Sequence, residues 1–259
     1  MSNATGRFVW HDLMTTDTEG AKKFYSEVAG WGTQEWQGGG GPYTMWTNNG
    51  VPFGGMTTLN EEMKKNNVPP HWLPSVGVEN VDDTVAKATQ LGATIVAPPM
   101  DIPGAGRYAI FADPQGATIA IFAPDGDMQS APPEGPPKNG EFSWHELTTS
   151  DHLAAFDFYS QLFGWVKNGE FDMGPMGMYL MYGKGETMYG GMFTRMPDMP
   201  PPMWLGYIKV ADTKESAKTI ARMGGKVMRE PMEVPGGDWI AIASDPQGAM
   251  TAVQSGKTT

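Results

Sequence analysis

Residues 8–31, FVWHDLMTTDTEGAKKFYSEVAGW, and residues 142–165, FSWHELTTSDHLAAFDFYSQLFGW, are two versions of one sequence. His11 and His145 occupy the same place in each copy, an offset of 145 − 11 = 134 residues. Trp10, Leu13, Thr15, Asp17, Phe24, Tyr25, Ser26, Gly30 and Trp31 also recur. The far ends match as well: PMDIPGAGRYAIFADPQGA begins at Pro99 and PMEVPGGDWIAIASDPQGA at Pro231. A repeat on this scale requires one architecture used twice. The 259 residues divide into two units of about 125 each, a normal domain size. The expected boundaries are 1–124 for the first domain and 141–259 for the second. Residues 125–140 are rich in Pro, Gly and charge and cannot bury much apolar surface, so they read as an extended linker that lets the domains pack together.

Each domain contains a weaker repeat of its own. Residues 8–14 read as a strand, and Thr16 and Asp17 as N-cap residues of a helix that carries Ala21, Phe24, Tyr25 and Val28 at helical spacing and stops at Gly30. Strands follow around 43–46 and 53–58. The pattern then restarts with a strand at 73–78. Asp82 caps a helix bearing Val85, Ala88 and Leu91 that ends at Gly92, and strands follow at 95–97, 108–112 and 118–122. The expectation is an α+β fold of tandem βαβββ modules, four in all.

Composition narrows the function. With 18 basic against 29 acidic residues the net charge is −11, which argues against nucleic acid and against anionic membranes, because phosphates need Lys and Arg. There is no cysteine, which excludes thiolate nucleophiles, disulfides and Cys-ligated metals. No apolar run reaches a membrane span of roughly 18 residues. Met1 to Arg7 lacks a signal-peptide core, so a cytoplasmic protein, monomer or homodimer, is expected. Four glycines at 38–41 precede Pro42 without a following Lys-Ser/Thr, so they read as a mobile loop near a cleft mouth rather than a phosphate cradle. No G-x-S-x-G elbow supports a hydrolase.

The order strand, T-x-D, helix with Phe-Tyr, Gly-Trp and a later D-P-Q-G before the last strand resembles the vicinal-oxygen-chelate superfamily of glyoxalases, bleomycin-resistance proteins and dioxygenases, over nearly the whole chain. The phrases P-M-[DE]-[IV]-P-G and D-P-Q-G-A are similar to those of its fused two-domain, glyoxalase-like members. The resemblance implies mixed sheets curled around clefts, and a divalent metal acting as a Lewis acid on vicinal oxygens. It also implies a His ligand on the first strand of one module and a Glu on the last strand of the other. Aligned on the capping Asp, the first position is Trp10 or Trp144, and the second, four residues beyond the Gly of D-P-Q-G, is Ala120 or Ala252. Neither an indole nor a methyl group is a ligand. The expectation is therefore no metal ligands and no cofactor, with a divalent metal as the alternative.

Alternation places His11 and His145 on the helix side of their strands, one residue from the family position. There a hydrogen-bonded packing role competes with a general-base role. His71 and His152 offer no ligand set. Asp12 and Glu146 share a face with Trp10 and Trp144, together with Met14 and Thr148. A carboxylate beside Trp in a dry cleft is a candidate acid or base. The catalytic candidates are thus Asp12, Glu146, His11 and His145. The candidate lining is Trp10, Tyr43, Trp46, Met56 and Trp72 in one domain, and Trp144, Tyr179, Tyr182, Met192 and Trp204 in the other. Arg107 is placed to hold a carboxylate, with Trp239 as its counterpart. This aromatic set suits a planar or carbonyl-containing small molecule. Three functions follow: a metal-free binding protein, a metal-dependent glyoxalase-type lyase or isomerase or a dioxygenase, and a metal-free acid–base enzyme on a carbonyl compound.

Overall fold

The structure, a computed structural model, describes residues 4–38, 43–125 and 135–256. Most of the expected mobile loop at 38–41, together with Pro42, and most of the expected linker, 126–134, lie outside the described residues.

The first domain runs β1 (Phe8–Thr15), α1 (Thr18–Ala29), β2 (Gly32–Glu35), β3 (Thr44–Asn48), β4 (Val51–Thr58), a short α2 (Glu61–Lys65), β5 (His71–Gly77), α3 (Val81–Gln90), β6 (Thr94–Ile102), β7 (Gly106–Ala112) and β8 (Thr118–Pro124). The second repeats the order with β9 (Phe142–Thr149), α4 (His152–Phe163), β10 (Val166–Asp172), β11 (Met178–Lys184), β12 (Thr187–Thr194), β13 (Met203–Lys209), α5 (Thr213–Arg222), β14 (Lys226–Glu233), β15 (Trp239–Ser244) and β16 (Met250–Ser255). Each domain is one mixed eight-stranded sheet, β2-β3-β4-β1-β5-β8-β7-β6 and β10-β11-β12-β9-β13-β16-β15-β14, two βαβββ modules joined at the first strand of each. No helix among the described residues is long and apolar enough to cross a membrane.

The helix ends follow local chemistry. Asp17 accepts from the Gly20 amide and Asp151 from those of Leu153 and Ala154, while Gly30 and Gly164 close the same helices in the left-handed region. The cap of α3 is Asn80 rather than the expected Asp82, because its side chain accepts from the amide of Asp83, the third residue of the helix. The strand β2 was not expected. It is four exposed residues with no apolar alternation to betray it.

The cores are shared between the domains. One cluster joins Phe8, Val76, Phe111, Ile119 and Ile121 of the first domain to Phe158, Tyr159 and Trp165 of the second. Its counterpart joins Leu13, Phe24, Tyr25, Trp31, Trp46 and Trp72 to Ile208, Ile220 and Val253. The Phe-Tyr and D-P-Q-G motifs explain one another across this junction. The Tyr25 hydroxyl donates to Asp245 at 3.2 Å and the Tyr159 hydroxyl to Asp113 at 3.0 Å. The same aspartates hold their own turns by accepting the Ala249 and Ala117 amides. Each sheet therefore has an inner face turned to the other domain and an outer face turned away.

Candidate outer-face site

Two bulges and strict alternation decide which residues reach the outer faces. Between Phe8 and Trp10 the register with β5 shifts, so Phe8 sits opposite Val76 in the core while Trp10 sits opposite Ser75. From Trp10 onward the strand alternates. His11 and Leu13 point inward, and Asp12 points outward opposite Gly55 and Leu73. The second domain repeats this with Trp144 opposite Tyr207 and Glu146 opposite Gly191 and Leu205.

On the first outer face Trp10, Asp12 and Tyr43 form a hydrogen-bonded group. The Trp10 Nε1 donates to the Tyr43 hydroxyl at 2.7 Å and approaches Asp12 Oδ1 at 3.3 Å. The Tyr43 hydroxyl makes a short bond to Asp12 Oδ1. Burial raises the Asp12 carboxyl from 3.8 to about 6, against the opposing effect of the two donors. Burial and the Asp12 charge push the Tyr43 phenol up, and the same two causes raise Tyr108 nearby. On the second face Trp144 Nε1 donates to the Tyr179 hydroxyl at 2.8 Å. Tyr179 donates to Glu146 Oε2 at 2.9 Å and Tyr207 to Oε1 at 3.1 Å. Burial raises Glu146, while the two phenols and the nearby Arg229 oppose the shift.

Glycine makes room for this arrangement. A Cβ on Gly55 would overlap the Tyr43 hydroxyl, and one on Gly191 would overlap the Tyr179 ring. The repeated triplets Gly54, Gly55, Met56 and Gly190, Gly191, Met192 were the signal for this in the sequence, and Tyr207, Tyr108 and Arg229 are functional candidates that sequence reasoning missed.

Several candidates do not reach these faces. Trp46 pairs with Gly54 in the row of His11, and Met56 and Trp72 both lie opposite Leu13, so all three are buried between the domains. Tyr182, Met192 and Trp204 are buried for the same reason, in the rows of His145 and Leu147. Tyr43 and Trp46 are three residues apart, an odd step that sends them to opposite faces. Arg107 shares its parity with the buried Ala109 and Phe111, and it bonds Asp82 of α3 at 2.8 Å and Asp101 at 2.7 Å, two carboxylates of its own chain. His11 and His145 meet at the centre of the junction, Nε2 to Nε2 at 2.7 Å, stacked on Phe142 and Phe8 respectively, away from both outer faces. Burial, and for His11 also the facing His145, pushes both imidazoles down, His145 to about 3. His71 lies beside the Pro69 carbonyl and His152 beside the Thr194 hydroxyl.

The family model of the glyoxalase/bleomycin resistance protein/dioxygenase superfamily matches residues 7–121 and again 142–253. The chain belongs to that superfamily. Among curated relatives of this superfamily member, "Putative glyoxylase CFP32" of Mycobacterium tuberculosis is 32% identical over 94% of this chain and 92% of its own. The anthracycline biosynthesis protein DnrV of Streptomyces peucetius is 27% identical over 95% and 92%. Among solved structures, the 2,3-dioxygenase LapB from Pseudomonas sp. KL28 has a TM-score of 0.67 at 11% identity, covering 98% of this chain and 93% of that one. The Mn(II)-bound glyoxalase from Novosphingobium aromaticivorans has 0.63 at 13% identity, covering 97% and 82%. At such identities these two share the fold with this superfamily member.

The donor set of this superfamily member does not fit the metal that the family implies. Trp10, Ser75 and Ala120 form one row across β1, β5 and β8, and Trp144, Tyr207 and Ala252 form its counterpart, so the expected ligand positions do face each other on the outer faces. They present an indole and a methyl group. The one carboxylate in each group is already bonded by phenols, and no three His, Asp or Glu converge among the described residues. A cavity of about 840 Å3 opens between the domains, lined by Arg7, Lys184, Tyr189 and Lys209 among others. It shares only Trp144 with the groups described above.

Asp12 provides a direct test. The folded chain keeps its proton up to about pH 6, whereas the unfolded chain loses it near 3.8, so ionisation over this window favours unfolding. Stability is expected to fall as pH rises from about 4 to 6. Asp12→Asn, which keeps an acceptor for Tyr43, should abolish that share of the slope in urea titrations at a series of pH values. Superimposable slopes for the two proteins would place the Asp12 carboxyl at an ordinary pKa.

Proposed function

We propose that this protein binds a small planar, carbonyl-containing organic molecule on its outer faces, without the metal typical of its family. The observation that carries this reading is the repeated group of Trp, Tyr and carboxylate, Trp10, Tyr43 and Asp12 in one domain and Trp144, Tyr179 and Glu146 in the other. Half-buried indoles supply a flat apolar surface. When the carboxyl is protonated, the carboxyl and phenol together carry one proton more than their mutual hydrogen bond uses, and that O–H is a donor for a carbonyl oxygen. The relatives named as anthracycline biosynthesis proteins support the ligand class, because anthracyclines are planar aromatic compounds that carry carbonyls.

A second reading is supported by Asp12 alone. A carboxyl that titrates near 6 can give and take a proton near neutral pH, so the first face could act as a general acid–base on a carbonyl compound. In that case Tyr43 would hold the carbonyl oxygen while Asp12 moves the proton on the adjacent carbon.

The binding reading is tested by calorimetric titration with 9-fluorenone, a planar neutral aromatic ketone, before and after exhaustive treatment with a chelator. Saturable binding that survives chelation is expected, with Trp10→Ala/Trp144→Ala weakening it about tenfold or more, equivalent to roughly 1.4 kcal/mol. Absence of saturation in the natural protein, or indifference to the double substitution, sinks the reading. Binding that disappears with chelation would restore the metal.

A further inference from the structure

We infer that the second outer face is built for a planar molecule that carries a carboxylate, with Arg229 as the residue that holds that group. The inference rests on the reading of the outer faces as binding surfaces for planar molecules, and it separates the two faces, which the duplication alone would make equivalent.

The two domains can be compared position by position, because their ladders share one register. In the second, a single row runs Trp144, Tyr207, Ala252, Ile242, Arg229 across β9, β13, β16, β15 and β14. In the first, the same row runs Trp10, Ser75, Ala120, Ile110, Ala97. The row begins with the same Trp and passes through the same Ala. It differs at two places that matter chemically: Tyr207 replaces a serine and Arg229 replaces an alanine.

The backbone aims Arg229 at this face. Val227 lies opposite Ala243, which is buried on the inner side. The register then shifts, and Arg229 lies opposite Ile242, whose parity is outward. A bulge of this kind re-aims the next side chain. Burial raises both Glu146 and Tyr207, and the half-buried guanidinium is close enough to both to oppose that rise.

Its donors are largely unused. The contact of Arg229 is Nη1 to Met232 Sδ at 3.9 Å, and no carboxylate among the described residues forms an ion pair with it. Other arginines differ: Arg107 is held by Asp82 and Asp101, Arg222 by Glu27, and Arg195 by the Pro200 carbonyl. The acid nearest to Arg229 in the site, Glu146, has its two oxygens engaged by Tyr179 and Tyr207 instead. A planar fork of five N–H donors, partly desolvated and lacking an acid of its own, matches the two oxygens of a carboxylate. Tyr179 and Tyr207 are buried against the half-buried Trp144 indole and hold it in place, and that indole offers its face to a flat body attached to the carboxylate. Both faces carry a buried carboxyl, Asp12 or Glu146, but the first has Ala97 where the arginine stands in the second, so an anion there would meet the carboxyl with no cation beside it.

Calorimetric titrations with 9-fluorenone-2-carboxylate and its neutral isostere 9-fluorenone-2-carboxamide test this on the full chain. The natural protein is expected to bind the carboxylate about tenfold or more tightly than the carboxamide, at one site per chain. Arg229→Ala should erase that preference by weakening the carboxylate about tenfold more than the carboxamide, and Arg229→Lys should restore part of it. Trp144→Ala should weaken both ligands. A preference that survives Arg229→Ala, or no preference in the natural protein, overturns the inference. If the carboxamide still binds and Trp144→Ala weakens it, the general reading of the outer faces stands while this one falls. If neither ligand binds, both fall together.

Discussion

Replacing both junction histidines, His11→Phe/His145→Phe, is expected to make the protein markedly more resistant to acid. The natural pair is a single neutral hydrogen bond, Nε2 to Nε2 at 2.7 Å, enclosed between the rings of Phe8 and Phe142. Burial holds His145 at about 3 against an ordinary 6.5, and His11 is lowered by burial and by His145. Below pH 6.5 the unfolded chain therefore takes up protons that the folded chain refuses. Stability contributed by the neutral pair is fully present above 6.5 and falls as pH drops toward 3. For His145 alone the loss across that window is on the order of 4 kcal/mol, at 1.36 kcal/mol per pH unit. The quantity to measure is the difference between variant and natural protein in urea-derived stability from pH 7 to 3. Asp12, Asp113, Glu146 and Asp245, all raised by burial, act in the opposite sense in both proteins and cancel in that difference. The single variant His11→Phe should be weaker than either at pH 7, because it leaves one buried imidazole nitrogen without a partner, a cost of about 1–3 kcal/mol. Parallel stability curves for the double variant and the natural protein would refute the account.

The second large effect is expected from Trp165→Ala. This indole is 2% exposed and touches the rings of Phe8, Tyr159, Phe163, Tyr182 and Trp204. Its Nε1 donates to the Gly6 carbonyl of the first domain at 2.7 Å. Truncation removes a large apolar contact, leaves a cavity and frees a carbonyl, so a loss of about 3–5 kcal/mol is expected. Because the cluster contains residues of both domains, the loss should appear as one shifted unfolding transition followed identically by fluorescence and circular dichroism. Two separable transitions, or a loss under about 1 kcal/mol, would mean that the domains do not share a core.

Both predictions concern the junction, where sequence reasoning was weakest. The duplicated stretch around Trp10 and Trp144, the Asp caps, the Gly stops and the order of elements could all be read from the chain. They depend on local backbone chemistry and on a period of two or 3.6 residues. The same alternation put Asp12 beside Trp10 and Glu146 beside Trp144 on one face. It could not say which of the aromatic residues elsewhere shared that face, because parity is relative within a strand and has no fixed origin between strands. Read from the chain alone, Trp46, Trp72, Tyr182 and Trp204 fall with Tyr43 and Tyr179, whereas the pairing rows send them to the opposite side.

What the sequence by itself determined is the tandem fold, its family and the absence of His and Glu at the usual ligand positions. Each of these is a matter of residue identity at a recognisable spacing. What only the tertiary structure decided is the sharing of cores between domains, the meeting of two histidines 134 residues apart, and the row that brings Arg229 to the surface of Trp144 and Tyr207. These depend on contacts between distant segments and on bulges that shift the register by one residue, and a bulge leaves the local hydrophobic pattern almost unchanged while it reverses the direction of every side chain beyond it.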